Sequence, residues 1–376
     1  MFRLLLLALL LTACASAPVI PTPTLPPPSA TPVQSTSTSA PSPTLTLIPT
    51  ATPLPHLMYP YTIAGLRERL YTGGVITLEA RLGLNDQFST YLISYPSDGL
   101  RITGVLNLPH GEGPFPVIVM NHGFYGRAEY SSGDGSQRAA DYLAEHGFLT
   151  ISSDYRTWGG SDFGVSFFHT GLVVDVLNLI DSLASLPQAD THRIGMWGHS
   201  MGGGITTKIL AIQGGRAHIL NVEGEYGVRA AVLYAPNSAD DADLIARWGY
   251  GCIGDIATVE LLETCNSADV IPASLPAEVI AAYVESAQSP ERMREIAPYY
   301  YLDSIPVPLQ IHIGSADGDY IGSTPPEWSY KLYEGLLAAG RPAELFIYDG
   351  QRHSFTGQDW FLFMDRAIAF FRQTMP

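Results

Sequence analysis

Positive charge is scarce in this chain. Its 20 Lys and Arg residues stand against 36 Asp and Glu, a formal net charge of −16. That balance excludes nucleic-acid binding as the main activity, because a phosphate backbone is held by clustered cations. The acidic surplus reads as a solubilising surface. Charged residues of either sign make up only 15% of the chain and hydrophobic ones 46%, which excludes a chain disordered throughout. The material suffices for one large core, or a core plus a cap. Cysteine is equally sparse, with three residues in 376. No HExxH run and no Cys/His ligand spacing occurs, so a metal hydrolase is disfavoured and neither metal nor cofactor is expected.

What is present begins with a targeting signal. Arg3 supplies a short basic region, and Leu4 to Leu11 form an apolar run too short to span a bilayer comfortably. The run ends Leu11-Thr12-Ala13-Cys14, which resembles the box at which bacterial lipoproteins are cleaved before a diacylated cysteine. This predicts a signal peptide over 1–13, Cys14 as the lipidated mature N-terminus, and an extracytoplasmic protein anchored to the bacterial cell membrane. Ala13, Ala15 and Ala17 also fit an ordinary secretory cleavage site. From 14 to 57 the chain is almost entirely Pro, Thr, Ser, Ala and Leu, a composition that favours extended polyproline segments and a tether rather than a packed domain. With Cys14 lipidated, Cys252 and Cys265 remain, and an even pair in an exported protein points to a disulfide. Two buried free thiols are the alternative.

From Met58 to residue 376, strand-like and helical runs alternate, the pattern of a mostly parallel sheet with helices on both faces. Thr90 to Tyr95 and Ile102 to Leu108, joined by Pro96-Ser97-Asp98-Gly99, read as an antiparallel hairpin. Continuous apolar runs at 116–120, 148–151, 193–197, 230–234, 309–313 and 345–348 predict strands buried on both faces. Helical spacing covers 137–146, 172–186, 202–212, 328–339 and 359–372. The insertion at 237–301 breaks this rhythm and reads as a mainly helical cap.

The chemistry concentrates at Gly198-His199-Ser200-Met201-Gly202-Gly203, directly after a strand and before a helix. Such a turn lifts a Ser hydroxyl clear of the sheet, and its flanking glycines let neighbouring backbone pass. Ser200 is therefore the expected nucleophile, with the Met201 amide at the helix start aimed at a developing oxyanion. Asn121-His122-Gly123-Phe124 follows an earlier strand, where a second oxyanion donor is expected from the Phe124 amide. His122 fits a loop-orienting role better than that of a base. The order nucleophile, acid, histidine places His353 after the last strand, and it places the acid in Gly314-Ser315-Ala316-Asp317-Gly318-Asp319. Asp317, in the first turn after its strand, is preferred over Asp319, which is expected to cap the following loop.

These segments, together with Asp154-Tyr155-Arg156, resemble the catalytic domain of the prolyl oligopeptidase family and its dienelactone hydrolase-like and acetyl xylan esterase-like relatives. The resemblance runs from about Tyr91 to Phe371 and implies the α/β-hydrolase fold with a Ser-Asp-His triad. Two departures stand out. Members that cleave peptides carry a large β-propeller before the catalytic domain, and only Met58 to Tyr91 is available for one. Many of them also use a Tyr hydroxyl in the oxyanion loop, where this chain has His122, with Tyr125 close by. The expected activity is therefore ester hydrolysis through an acyl-enzyme on a small-molecule substrate. Cleavage of short peptides is the alternative, and a catalytically inactive surface binding lipoprotein is the rival of another class.

Overall fold

The structure is a computed structural model and describes residues 55–216, 227–254 and 265–376. The expected signal peptide, Cys14 and nearly all of the tether lie outside the described residues, as do 255–264 of the cap. In chain order the elements are α1 (Ile63–Glu68), β1 (Thr77–Leu84), β2 (Phe88–Ser97), β3 (Leu100–Pro109), β4 (Phe115–Asn121), α2 (Gln137–Glu145), β5 (Leu149–Ser153), α3 (Thr170–Ser182), β6 (Ala189–His199) and α4 (Met201–Arg216). Then follow β7 (Val228–Tyr234), α5 (Asp241–Trp248), β8 (Gly251–Gly254), β9 (Asn266–Pro272), α6 (Ala277–Gln288), α7 (Pro290–Ile296), β10 (Leu309–Gly314), α8 (Pro326–Ala338), β11 (Ala343–Tyr348) and α9 (Gly357–Thr374).

Nine strands form one sheet in the order β1-β2-β3-β5-β4-β6-β7-β10-β11. The first three pair antiparallel, and β5, β4, β6, β7, β10 and β11 run parallel. Alternation along each buried strand sends side chains to opposite faces. Val117 and Val119 of β4 join the core shared with α1, α3, α4 and α8, while Ile118 and Met120 join the core under α2 and α9. A sheet covered on both faces explains the uninterrupted apolar runs at 116–120 and 230–234. The β2–β3 hairpin closes on Asp98 and Gly99, both with positive φ, the two-residue turn that matches strand twist. This is an α/β-hydrolase fold.

The insertion is mainly helical among its described residues, as expected, with one addition. Beside α5, α6 and α7 it holds a two-stranded parallel sheet of β8 and β9. Two local ties explain this. Cys252 and Cys265 are joined by a disulfide, and the Gly251 amide donates to the Tyr283 hydroxyl of α6. The insertion has its own apolar core, in which Ile271, Tyr283, Met293 and Ile296 meet Met58, Phe167 and Phe168.

The sheet order fixes where a site can form. The chain runs from β4 to β5 on one side, then crosses to β6 on the other, so the β4 and β6 ends diverge. Open parallel sheets bind ligands in the crevice at such a reversal, beyond the carboxyl ends of the strands.

Candidate active site

Two loops leave the sheet at that reversal. After β6 the chain turns at Ser200, whose φ of 55° is left-handed, and enters α4 at Met201. The turn is pinned from both sides: the Ser200 amide donates to the Tyr234 carbonyl (3.0 Å), and the Ser200 carbonyl accepts from the amides of Gly203 (2.9 Å) and Asn237 (3.0 Å). A side chain at Gly202 would collide with the Asn121 carbonyl, and one at Gly198 would lie 2.6 Å from Thr206 Oγ1. Glycine at both positions is what lets β6 and α4 close so tightly.

The β4 loop lies directly against the nucleophile turn. A Cβ at Gly123 would stand 3.1 Å from Ser200 Cβ. His122 is fully buried, stacked between the rings of Tyr130 (4.6 Å) and Tyr155 (4.3 Å). Its Nδ1 donates to the Gly123 carbonyl (2.7 Å), and burial lowers its pKa, so the neutral ring fixes the course of the loop. Phe124 and Met201 both line the cavity that Ser200 faces. As the first residue of α4, Met201 carries one of the amides that an α-helix leaves without an internal acceptor.

From the far side come the loops after β10 and β11. His353 Nδ1 lies 3.0 and 3.1 Å from the two oxygens of Asp317. The Asp317 carboxylate also accepts from the Gly318 amide (2.8 Å) and from Thr324 Oγ1 (3.0 Å). Engaging Nδ1 leaves His353 Nε2 as the ring's basic nitrogen, and His353 lines the same cavity as Ser200. Asp319 instead pairs with Arg352 (3.1 Å), at the surface and not with His353. The two loops are laced together by the Ala316 amide donating to the Gln351 carbonyl (3.0 Å).

Three residues of this arrangement were not singled out in the sequence. Thr324 touches both Asp317 and His353, from a loop with no recognisable signal. His199, the variable position before the serine, sends Nε2 to the His353 carbonyl (3.0 Å) and stacks on Tyr234 (4.4 Å). Burial, aided by neighbouring His353, pushes its pKa down to about 3, so it is a neutral donor at ordinary pH. Tyr234, the last residue of β7, accepts from the Phe355 amide through its hydroxyl and so steadies the histidine loop.

The cavity measures about 320 Å³. Besides the groups above it is lined by aromatic Tyr125, Trp248 and Tyr320 and by the amide-bearing Asn237 and Asn266. Among the described residues no Asp, Glu, Lys or Arg lines it. Nor, among them, does any group of three or more His, Cys, Asp or Glu side chains stand where it could hold a metal ion. Chemically, the arrangement offers a hydroxyl on a strained turn and a carboxylate-oriented imidazole around one cavity without Asp, Glu, Lys or Arg among its described lining residues.

Comparison with known proteins agrees in kind. The profile of the X-Pro dipeptidyl-peptidase (S15) family matches residues 98–347. An uncharacterised 31.7 kDa protein from the traX-finO intergenic region of Escherichia coli is 33% identical over 112 residues, 29% of this chain and 36% of that one. The aligned part is thus about a third of that relative's length. Among solved structures, the acetyl xylan esterase of Paenibacillus sp. R4 superposes with a TM-score of 0.54 at 16% identity, over 82% of this chain and 92% of the esterase. The acylaminoacyl peptidase of Pyrococcus horikoshii does so with a TM-score of 0.53 at 19% identity, over 77% of this chain and 42% of the peptidase. At these identities the two likenesses concern the fold.

Proposed function

The chain belongs to the X-Pro dipeptidyl-peptidase (S15) family of serine hydrolases, and from that premise we propose that it hydrolyses carboxylic esters through an acyl-enzyme on Ser200. In this reading His353 Nε2 takes the Ser200 proton as Oγ attacks the ester carbonyl carbon. The amides of Phe124 and Met201 receive the oxyanion, and Asp317 stabilises the imidazolium that forms. Collapse of the tetrahedral intermediate breaks the C–O bond to the alcohol, which leaves with the proton from His353. Water, deprotonated by His353 in turn, then attacks the acyl-enzyme, releasing the acid and restoring Ser200.

The observation that carries ester over peptide is the cavity's neutrality. A dipeptidyl-peptidase must bury a free α-ammonium, and an unpaired charge taken out of water is costly. No carboxylate lines the cavity among the described residues to receive one. The family description favours the second reading, release of dipeptides, for which the catalytic groups would be identical. Turnover of simple alkyl esters beside Xaa-Pro amides decides between them. We expect kcat/KM to be higher for the unactivated esters, and cleavage of the peptides with no turnover of any such ester would establish the second reading. An inactive binding protein would neither turn over substrate nor take up a serine-directed phosphonate.

The proposed location rests on sequence alone. We propose that Cys14 is diacylated and that 14–57 tethers the hydrolase to the outer surface of a bacterial membrane. Cys14→Ser should release the protein into the soluble fraction, and continued membrane retention would argue for an uncleaved signal anchor.

A further inference from the structure

One part of the cavity wall is ordered by contacts that the reaction itself does not require. Phe168 and His169, just before α3, both have positive φ, 52° and 59°, and neither is glycine. Two consecutive residues in that region carry backbone strain, which persists only where surrounding contacts over-determine it. Asp269 of β9 provides such contacts. Its Oδ1 accepts the His169 amide (2.8 Å), and its Oδ2 accepts the Tyr283 hydroxyl (2.8 Å).

Held this way, His169 meets Asn266, the first residue of β9 and the neighbour of the Cys252–Cys265 disulfide. Asn266 Oδ1 accepts from the Ala268 amide (3.0 Å), which fixes its NH₂ end toward His169 Nε2 (3.1 Å). His169 Nε2 is therefore an acceptor and its proton sits on Nδ1. A third polar group, Asn237, is 3% exposed, and its carboxamide oxygen is buried without a partner against Gly204. All three residues line the same space as Ser200.

The wall thus offers N–H donors and no charge. Two acids behind this wall are already engaged: Asp269 as above, and Asp241 by Lys208 Nζ (2.9 Å). Beside the donors stands Trp248, whose indole N–H is taken by the Ile321 carbonyl (2.6 Å), so what it presents to a ligand is its apolar ring. Donors beside an aromatic face suit an uncharged group rich in oxygen acceptors and bearing C–H faces. We propose that His169, Asn266 and Asn237 recognise the hydroxyl oxygens of a polyol or sugar-like moiety, so that the substrates are esters of polyhydroxylated compounds rather than plain alkyl esters. This rests on the ester reading above.

The test uses the full chain and four acetates: propyl acetate, glycerol monoacetate, acetylcholine and acetoxyacetate. The wild type should turn over glycerol monoacetate with kcat/KM roughly 10-fold or more above propyl acetate, as a site built to bond hydroxyls rejects an analogue lacking them. Asn266→Leu and His169→Phe should each lower the rate on glycerol monoacetate far more than on propyl acetate, chiefly through KM. Wild-type ratios at or below one, equal losses on both esters in the variants, or preference for the cationic or anionic acetate would each overturn the proposal. The wild-type ratio decides even if a variant fails to fold. Failure to cleave any acetate, with Ser200 still modified by a fluorophosphonate, would instead overturn the ester reading and this inference with it.

Discussion

Ser200 is stabilised in its left-handed backbone by acceptors and donors on three segments, and His353 by a carboxylate that reaches Nδ1 with both oxygens. The acid position is where the alternatives are sharpest, because two aspartates lie two residues apart. Only Asp317 contacts the imidazole, while Asp319 makes an exposed pair with Arg352, of a kind worth about 0–1 kcal/mol. Asp317→Asn should therefore lower kcat by roughly 10³- to 10⁴-fold, whereas Asp319→Asn should change it little. Steady-state kinetics on one ester checks both, and equal effects would contradict the assignment.

Among the elements, the buried strands were legible because a sheet covered on both faces leaves apolar residues no alternation, as at 116–120 and 309–313. The nucleophile turn was legible for a related reason. Glycines at 198 and 202 are demanded by backbone approaches that no other residue tolerates, so they mark the turn in the sequence. β1 was not legible: Thr77–Leu84 is an edge strand almost wholly exposed, with no buried face to impose a period. The strands of the cap were hidden too, since their pairing depends on a disulfide and on a tyrosine from another helix. Thr324, His199 and Tyr234 could not be placed because their roles exist only after distant loops meet. The disulfide offers its own check. It closes a span of 13 residues, so the Cys252→Ser, Cys265→Ser double variant should lose about 3 kcal/mol or less in urea unfolding. Because Cys265 adjoins Asn266, KM should rise more than kcat falls. An unchanged KM would show that the disulfide does not hold the recognition wall.

For the whole molecule, His122, His199 and His312, among the described residues, have pKa values lowered chiefly by desolvation and are neutral rings in the folded protein. On unfolding they regain an ordinary pKa near 6.5, so below that pH the unfolded chain binds protons that the folded protein does not. Stability is then fully present above pH 6.5 and falls with acidification, continuing for His199 down to about pH 3. Each such histidine contributes a slope of about 1.4 kcal/mol per pH unit. Thermal unfolding between pH 7.5 and 4.5 should show Tm dropping, and the drop should shrink when His199 is replaced by Phe. A flat profile would mean these rings are protonated in the folded state.

The central claim is that this family member attacks its substrate with Ser200, activated by His353. The most direct measurement is mass spectrometry of the protein after reaction with an active-site fluorophosphonate. The account predicts a single adduct on the peptide containing Ser200, lost in Ser200→Ala and strongly slowed in His353→Ala. An adduct on another serine, or undiminished labelling of Ser200→Ala, would contradict it.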